Sequence, residues 1–350
     1  MWPFAKPQSY LGVDIGSNGI KLVELQKRGK YTYLYTYGFS DANLLSSNDA
    51  GFLDIDNTAG LLQKICAKAK ISSRQCLASL PASDVYSALL TVPILKEEDR
   101  KAFILRQIEK LIPIPLNDAA VDFKTVRKAK GIVEDKFKTA SEEVFFTAAP
   151  KKLIASYTEI FKKAGLNLLS LDTESLSLIS SLIGKDLSPI LLIDMGAAQT
   201  DFMMVENGVP VIFHSLKFGG GSFTKVLAKT LGLSLTEAEQ SKRDLRSEAV
   251  FPAIFNEPLA PIVEAIRYML ELYAKQKDGE VARPEKIILT GGSSLLPHLD
   301  TKISEIFSIK AYLGDPWARV VYSENLKPIL DSIGPRFATA LGLVLKKIEA

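Results

Sequence analysis

"YLGVDIGSNGIKLVELQ", Tyr10–Gln26, sets an aspartate, Asp14, inside a run otherwise suited to a buried strand. A Gly16-Ser17-Asn18-Gly19 turn follows, and a second apolar strand starts with Lys21 near its beginning. An unpaired carboxylate is costly in such a place, so its presence asks what lies beyond the turn. Asp-x-Gly is also an ordinary hairpin ending, and one copy decides little.

The plan recurs. "SPILLIDMGAAQTDFMMVENGVPVIFHSLKFGGG", Ser188–Gly221, has an apolar strand, Ile190–Ile193, ending in Asp194, with Gly196 placed as Gly16 is after Asp14. A second strand is predicted over Asp201–Glu206. Asn207-Gly208 is a strong hairpin turn because both residues tolerate positive φ. A third strand, Val209–Leu216, completes a meander. In the N-terminal copy the third strand is "YTYLYTYGF", after the turn around Gly29. Two such meanders predict an α/β fold in which like sheets face each other across a cleft.

Small turn residues let backbone N–H groups approach an anion closely. Ser17, Asn18 and Gly19 would hold one side of a phosphate chain, and Ala197, Ala198, Gln199 and Thr200 the other. Asp14 and Asp194 would each face Mg²⁺ through its waters, because that ion dehydrates reluctantly. Lys21 would add positive charge.

Two further glycine loops fit such a site. In "FGGGSFTKVLAKTLGL" Gly219, Gly220 and Gly221 end a strand, Ser222 is the expected cap, and a helix is predicted from about Phe223 to Leu231. That puts a glycine loop at a positive helix end. In "EKIILTGGSSLLPHLDTKISEIF" a buried strand, Ile287–Leu289, precedes Gly291-Gly292-Ser293 and a helix expected to start near Leu296. This second loop suits a purine nucleoside or a phosphate. "SLTEAEQSKRDL" places Glu239 and Lys242 three apart on one helix face, where a surface ion pair of small value is the plain reading. Neither GxxxxGK[ST] nor a strand-borne GxGxxG occurs, which excludes those two phosphate fingerprints.

Composition closes other routes. The 43 basic and 40 acidic residues balance too evenly for nucleic acid as the main partner. Cys66 and Cys76 form no CxxC or zinc pattern and read as reduced cytosolic thiols. His214 and His298 cannot build a His-rich metal site. No apolar run reaches the roughly 18 residues of a membrane span. "MWPFAKPQ" lacks the apolar core and cleavage site of a signal peptide; Trp2 and Phe4 read as a flexible leader, with a weak membrane touch as the lesser alternative.

Together these stretches carry a resemblance. "DIGSNGIK", "DMGAAQTD" and "TGGSSLLPHL" are similar, in order and spacing over almost the whole chain, to the phosphate-1, phosphate-2 and adenosine motifs of actin-like ATPases. "EAEQSK" resembles the Ala-Glu-x-x-Lys segment with which that superfamily meets ribose and adenine. "LLSLDTESLSLISSLIG", from Leu168, resembles its first connecting segment, with Asp172 and Glu174 near the cleft. The closer resemblance is to the PilM family of type IV pilus assembly; the FtsA cell-division family is next. FtsA proteins end in a linker and a membrane-binding helix, whereas here a helix from about Pro335 to Ile348 is the expected closing core helix. His298 stands where the adenosine motif often has glycine, a departure that concerns the local turn.

The resemblance implies an actin-like, ribonuclease H-like, two-lobed fold. Its first lobe takes residues 1–80 and 151–187, closed by a helix in 331–350. The second takes 188–224 and 285–330, with a side subdomain over 225–284. Residues 81–150 break the meander plan. "DVYSALLTVP" reads as a strand and "KEEDRKAFILRQIEKLIP" as a helix with an apolar face of Phe103, Ile104, Ile108, Leu111 and Ile112. "AAVDFKTVRKAKG" and "EEVFFTAAP" read as strands around a hairpin whose Lys124, Arg127, Lys128 and Lys130 are expected in solvent, with an acidic partner or membrane surface as the minority reading. This β-α-β-β insert resembles the FtsA-type 1C subdomain.

By the same resemblance the cleft takes ATP with Mg²⁺. Asp172 and Glu174 are the carboxylates that would serve slow hydrolysis, or would instead cap or tether the following helix. The protein would sit, without a span of its own, at the inner face of the cytoplasmic membrane, with the N-terminal peptide of a PilN-like inner-membrane protein between the insert and the first lobe. Other pilus platform proteins and self-association are further implied partners. A filament-forming FtsA- or MreB-like protein and a small-molecule kinase of the same superfamily are the alternatives; no sugar-binding polar cluster favours the kinase.

Overall fold

The computed structural model describes residues 8–41, 54–129, 141–245, 249–277 and 282–349. Trp2, Phe4, Lys130 and the side chain of Lys128 lie outside the described residues.

Apolar residues on both faces make β1 (Gln8–Gly16) and β2 (Gly19–Arg28) interior strands, with β3 (Tyr31–Ser40) beside β2. After α1 (Ile55–Lys68), β4 (Gln75–Leu80) joins β1 in parallel. The insert follows: β5 (Tyr86–Pro93), α2 (Glu97–Glu109), β6 (Ala119–Ala129) and β7 (Ser141–Pro150). Then α3 (Lys151–Lys163) leads to β8 (Asn167–Thr173) and α4 (Glu174–Leu178). The first sheet has the order β3-β2-β1-β4-β8, and the insert has β5-β7-β6.

The second half repeats the first. Strands β9 (Ile190–Met195), β10 (Thr200–Glu206) and β11 (Val209–Leu216) form the meander. Helices α5 (Gly220–Leu231), α6 (Leu235–Asp244) and α7 (Asn256–Lys275) precede β12 (Lys286–Thr290), α8 (Leu299–Phe307) and β13 (Lys310–Leu313). The sheet order β11-β10-β9-β12-β13 matches that of the first lobe position for position. Two short segments close the chain, α9 (Lys327–Ile333) and α10 (Ala338–Glu349).

Each sheet buries both faces. In the first lobe Leu11, Val13, Ile15, Ile20 and Leu22 pack with Tyr157, Ile160 and Phe161 of α3, while Tyr10, Val23 and Leu25 on the other face pack with Leu341, Val344 and Leu345 of α10. In the second lobe Ile193, Phe202 and Met204 meet Phe223 of α5 and Ile262, Ile266 and Met269 of α7. A separate apolar cluster joins the lobes: Leu178 and Ile179 after β8, Ile190 and Leu192 of β9, Met203 of β10 and Ala338 of α10.

Several expected boundaries move, each for a local reason. Helix α5 begins at Gly220 rather than near Phe223, because the Gly220 and Gly221 N–H groups already bond the Gly196 and Ala197 carbonyls. Ser222 therefore lies in the first turn and caps nothing; Gly219 is the cap residue. Helix α8 starts at Leu299 rather than Leu296, since Gly292–Leu295 form a 3₁₀ turn and Pro297 follows. His298 holds φ of 51°, so it adopts the left-handed conformation that a glycine would supply at that turn. In the last helix, Gly334–Phe337 are a 3₁₀ turn ahead of α10. Leu111 lies beyond the end of α2 and is 56% exposed, while Ile104 and Ile108 are fully buried. Arg127 is not a solvated hairpin residue: it pairs with Glu143 and with Glu206 of the second lobe.

The crossing of α4 and α10 leaves no room at Gly342. A Cβ there would lie 1.8 Å from the Ser177 carbonyl oxygen. Backbone, unlike a flexible side chain, cannot retreat cheaply. Gly342→Ala should cost about 2–4 kcal/mol in urea unfolding, at or above the usual overpacking range. A cost below about 0.5 kcal/mol, the level of a neutral surface change, would show that the two helices separate freely here.

Candidate functional site

The two Asp-x-Gly strand ends meet across the cleft. In β1–β2 pairing Asp14 lies opposite Lys21, and in β9–β10 pairing Asp194 lies opposite Asp201. The duplicated meander therefore puts a cation at one position and an anion at its counterpart. Asp14 is buried, with the Ser79 hydroxyl donating to it at 3.3 Å. Lys21 reaches over the turn, its Nζ 3.4 Å from where a Cβ at Gly16 would stand, and forms no ion pair among the described residues. Ser17 and Asn18 are exposed at the tip of the turn.

Burial raises all four cleft carboxylates, and like charge adds to it at Asp194 and Glu174. Burial pushes Asp14 up, against the pull of Lys21 and the Ser79 hydroxyl. Burial, then Asp201 and Asp14, push Asp194 up to about 7. Asp201 is raised by burial although Ser215 (2.5 Å) and Gln199 (2.9 Å) donate to it. Glu174 is raised well above its ordinary value, first by burial and then by Asp14.

The three loops of the second lobe form one hydrogen-bonded unit. Gly196 O accepts from the Gly220 N–H at 2.9 Å and from the Ser293 hydroxyl at 2.9 Å, and Ala197 O accepts from the Gly221 N–H at 2.8 Å. Gly196 N–H donates to Gln199 O. Thus two donors at the positive end of α5 already serve the neighbouring loop. Gly291 has φ of 83°, and a Cβ there would come within 2.3 Å of Asp194 Oδ1; no other residue type meets both demands. Gly219 has no room for a Cβ either, against the Gly196 and Ala197 carbonyls.

Glu239 and Lys242 are more than a surface pair. Lys242 Nζ is 2.6 Å from Glu239 and also donates to Gly220 O (3.0 Å) and Thr224 Oγ1 (2.8 Å). The pair ties α6 to the first turn of α5. Burial would raise the Glu239 carboxyl, but hydrogen bonds from Lys242 and Thr224 outweigh it and hold it below its ordinary value.

The two connecting-segment carboxylates part company. Asp172 pairs with Lys346 of α10 and accepts from its neighbour's Thr173 N–H, on the outer side of the crossing. Glu174 turns inward and accepts from the Ala82 N–H at 2.8 Å. Thr173, not a carboxylate, caps α4 by accepting from Leu176 N–H. A cavity of about 130 Å³ adjoins Glu174, lined also by Asp194, Asp201, Val85, Ser87 and Phe213.

Some participants escape sequence reading. Asp201 had a signal, the same offset from Asp194 that Lys21 has from Asp14. Arg336 had none: it lies beside Gly292, stacks 4.9 Å from the Phe39 ring centroid and pairs with Asp41. Asp41 also pairs with Arg243 of α6 at 3.4 Å, bridging the lobes at the cleft edge.

The Asp194 shift fixes a pH dependence. The unfolded chain ionises this group near 3.8 and the folded one near 7. Between those values the folded state holds an extra proton, so the group's stabilising contribution is full below about pH 4 and is lost as pH rises through 7. Asp194→Asn removes the dependence and should raise ligand-free stability at about pH 7.5 by about 1–3 kcal/mol, allowing for solvent screening. Urea unfolding at about pH 5 and pH 7.5 checks this; an asparagine variant no more stable than wild type at the higher pH would sink the buried-charge account.

Comparison with known proteins agrees with this geometry. The type IV pilus assembly protein PilM family model matches residues 12–348. FtsA of Streptococcus pneumoniae is 23% identical over 355 residues, covering 89% of this chain and 76% of that protein. The structure of a PilM–PilN type IV pilus biogenesis complex superposes with a TM-score of 0.81 at 23% identity, over 99% of this chain and 100% of the other. MreB5 of Spiroplasma citri bound to ADP gives 0.55 at 13% identity, over 98% of each chain. The fold is thus the two-lobed actin-like one, and with its family model spanning nearly the whole sequence, the chain belongs to the PilM family of type IV pilus assembly proteins.

Proposed function

We propose that this protein binds ATP with Mg²⁺ in the cleft and serves as a nucleotide-responsive scaffold at the cytoplasmic face of the pilus platform, engaging the N-terminal segment of a PilN-like membrane protein. The observation that carries the nucleotide reading is the bonded unit of loops 196–199, 219–221 and 291–293, facing the exposed Ser17-Asn18 turn. Backbone amides of Ser17, Asn18, Ala197 and Ala198 suit phosphate oxygens, and Lys21 brings an uncommitted charge. Gly291 and Gly292, with Arg336 beside them, would offer a nucleoside a side free of side chains, and Lys242, paired with Glu239, bonds the adjoining loop at Gly220.

The donor set fits magnesium. Among the described residues no three His, Cys, Asp or Glu side chains converge to hold a metal by themselves. Mg²⁺ is ordinarily held by one or two carboxylates together with phosphates and waters, and Asp14 and Asp194 supply that number. When bound, Mg²⁺ supplies the positive charge that the cleft carboxylates lack. Glu174 stands inward for orienting a water, while Asp172, engaged by Lys346, serves the crossing.

Among the described residues no helix is long and apolar enough to cross a membrane. The family and the PilM–PilN neighbour support a PilN-like partner. Strand β5 is an edge strand whose Tyr86–Leu90 stretch is half-exposed, and an extended peptide gains main-chain bonds at such an edge. The inner face of α2 is spent on the insert's own core, since Ile104 and Ile108 are fully buried. Glu174 bonds Ala82 at the root of the insert and so stands between cleft and groove.

Two measurements test this. Millimolar MgATP, at a hundredfold excess over Kd, should stabilise wild type by about 2.7 kcal/mol, and Asp194→Ala should lose most of the Mg²⁺-dependent part. No shift in wild type would mean that the cleft is not a nucleotide site. Titration with the cytoplasmic N-terminal peptide of the cognate PilN-like protein should show binding that Leu89→Asp weakens by about tenfold, the loss expected of one anchor. Undiminished binding would place the peptide elsewhere.

A further inference from the structure

We infer that the end of the first lobe remote from the cleft is a docking surface for an anionic lipid bilayer, formed by the β2–β3 hairpin and the chain that leaves α1. Strand β1 runs from this end toward Asp14, so the surface and the nucleotide cleft lie at opposite ends of one sheet. Residues 26–37, "QKRGKYTYLYTY", and 64–74, "KICAKAKISSR", contain Lys27, Arg28, Lys30, Lys64, Lys68, Lys70 and Arg74 and no acidic residue, in a chain whose whole net charge is +3.

The fold brings these two segments together. Strand pairing puts Arg28 opposite Tyr31 and Gln26 opposite Tyr33. Thr36 donates to Ala69 O at 2.7 Å, and Ser72 N–H donates to Glu24 at 2.7 Å, fastening residues 69–73 along the same strands. Glu24 is fully buried and bonded by Ser9 and Ser72, so it offers no surface charge. Arg28, Lys30, Lys64, Lys68, Lys70 and Arg74 are exposed and form no ion pair among the described residues.

The aromatic residues set this surface apart from an ordinary basic one. Tyr31 is 50% exposed and Tyr35 48%. Lys30 lies 5.1 Å from the Tyr31 ring centroid and Arg28 5.5 Å from that of Tyr33. Rings with a wet hydroxyl, interleaved with cations, suit the headgroup level of a bilayer, and anionic headgroups attract each nearby Lys or Arg. The C-terminal dipole of α1 accounts for Lys68, but not for Arg28, Lys30, Lys70 or Arg74. The hairpin projects: nothing lies within 4 Å of a Cβ built at Gly29. A projecting surface meets a plane, whereas a peptide needs a groove, which favours lipid over an acidic polypeptide.

The test is sedimentation of the full chain with phosphatidylcholine vesicles, alone or mixed equally with phosphatidylglycerol. Binding is expected only to the mixed vesicles and should collapse in high salt. Each basic residue near the surface is worth about fivefold in partitioning, so Arg28→Glu with Lys30→Glu should weaken binding by at least about twentyfold. Tyr31→Ser with Tyr35→Ser should weaken it as well, and Trp2→Ser with Phe4→Ser should leave it intact. Equal binding to neutral vesicles, no binding at all, or insensitivity to the charge reversal overturns the proposal. So does retention on polyglutamate without vesicle binding, which would assign the surface to an acidic protein. Nucleotide-linked stability is measured apart from vesicle binding, so each reading fails separately.

Discussion

Like charge gathered at two facing strand ends is the constraint on which the rest of the structure turns. Burial raises the proton affinity of Asp14, Asp194, Asp201 and Glu174, neighbouring carboxylates raise that of Asp194 and Glu174 further, and Lys21 is the cation set among them. Left alone, such an arrangement favours opening. The apolar cluster between the lobes opposes that tendency by holding Leu178 and Ile179 against Ile190 and Leu192 of β9 and Met203 of β10.

Duplication explains why the cleft has two unlike walls. The two sheets share strand order and pairing sense, so any residue in one meander has a counterpart in the other. Lys21 and Asp201 are such counterparts, each opposite its strand's aspartate. One wall offers a free cation and an exposed turn. The other is a rigid unit of three loops whose internal donors are largely spent on each other.

The insert is connected to both walls. Its root donates the Ala82 N–H to Glu174, its β7 places Phe145 6.2 Å from Phe213 of β11, and its Arg127 pairs with Glu206. These ties mean that a change in the angle between lobes must disturb contacts of the insert, since packed interfaces switch rather than stretch.

The sequence by itself determined the elements and the repeat. Asp-x-Gly after an apolar strand, the Asn207-Gly208 turn and the alternation in the insert are local signals, set by φ preference and side-chain period. They also marked Asp14, Asp194 and the glycine loops, because only small residues suit those turns. Tertiary structure alone decided how Asp172 and Glu174 divide, one outward to Lys346 and one inward to Ala82. It decided that Lys242 buttresses α5, that Arg127 joins the insert to the second lobe, and that Asp41 spans the cleft edge to Arg243 and Arg336. These partners stand far apart along the chain. Their pairing depends on how sheets and helices pack, which no window of neighbouring residues encodes.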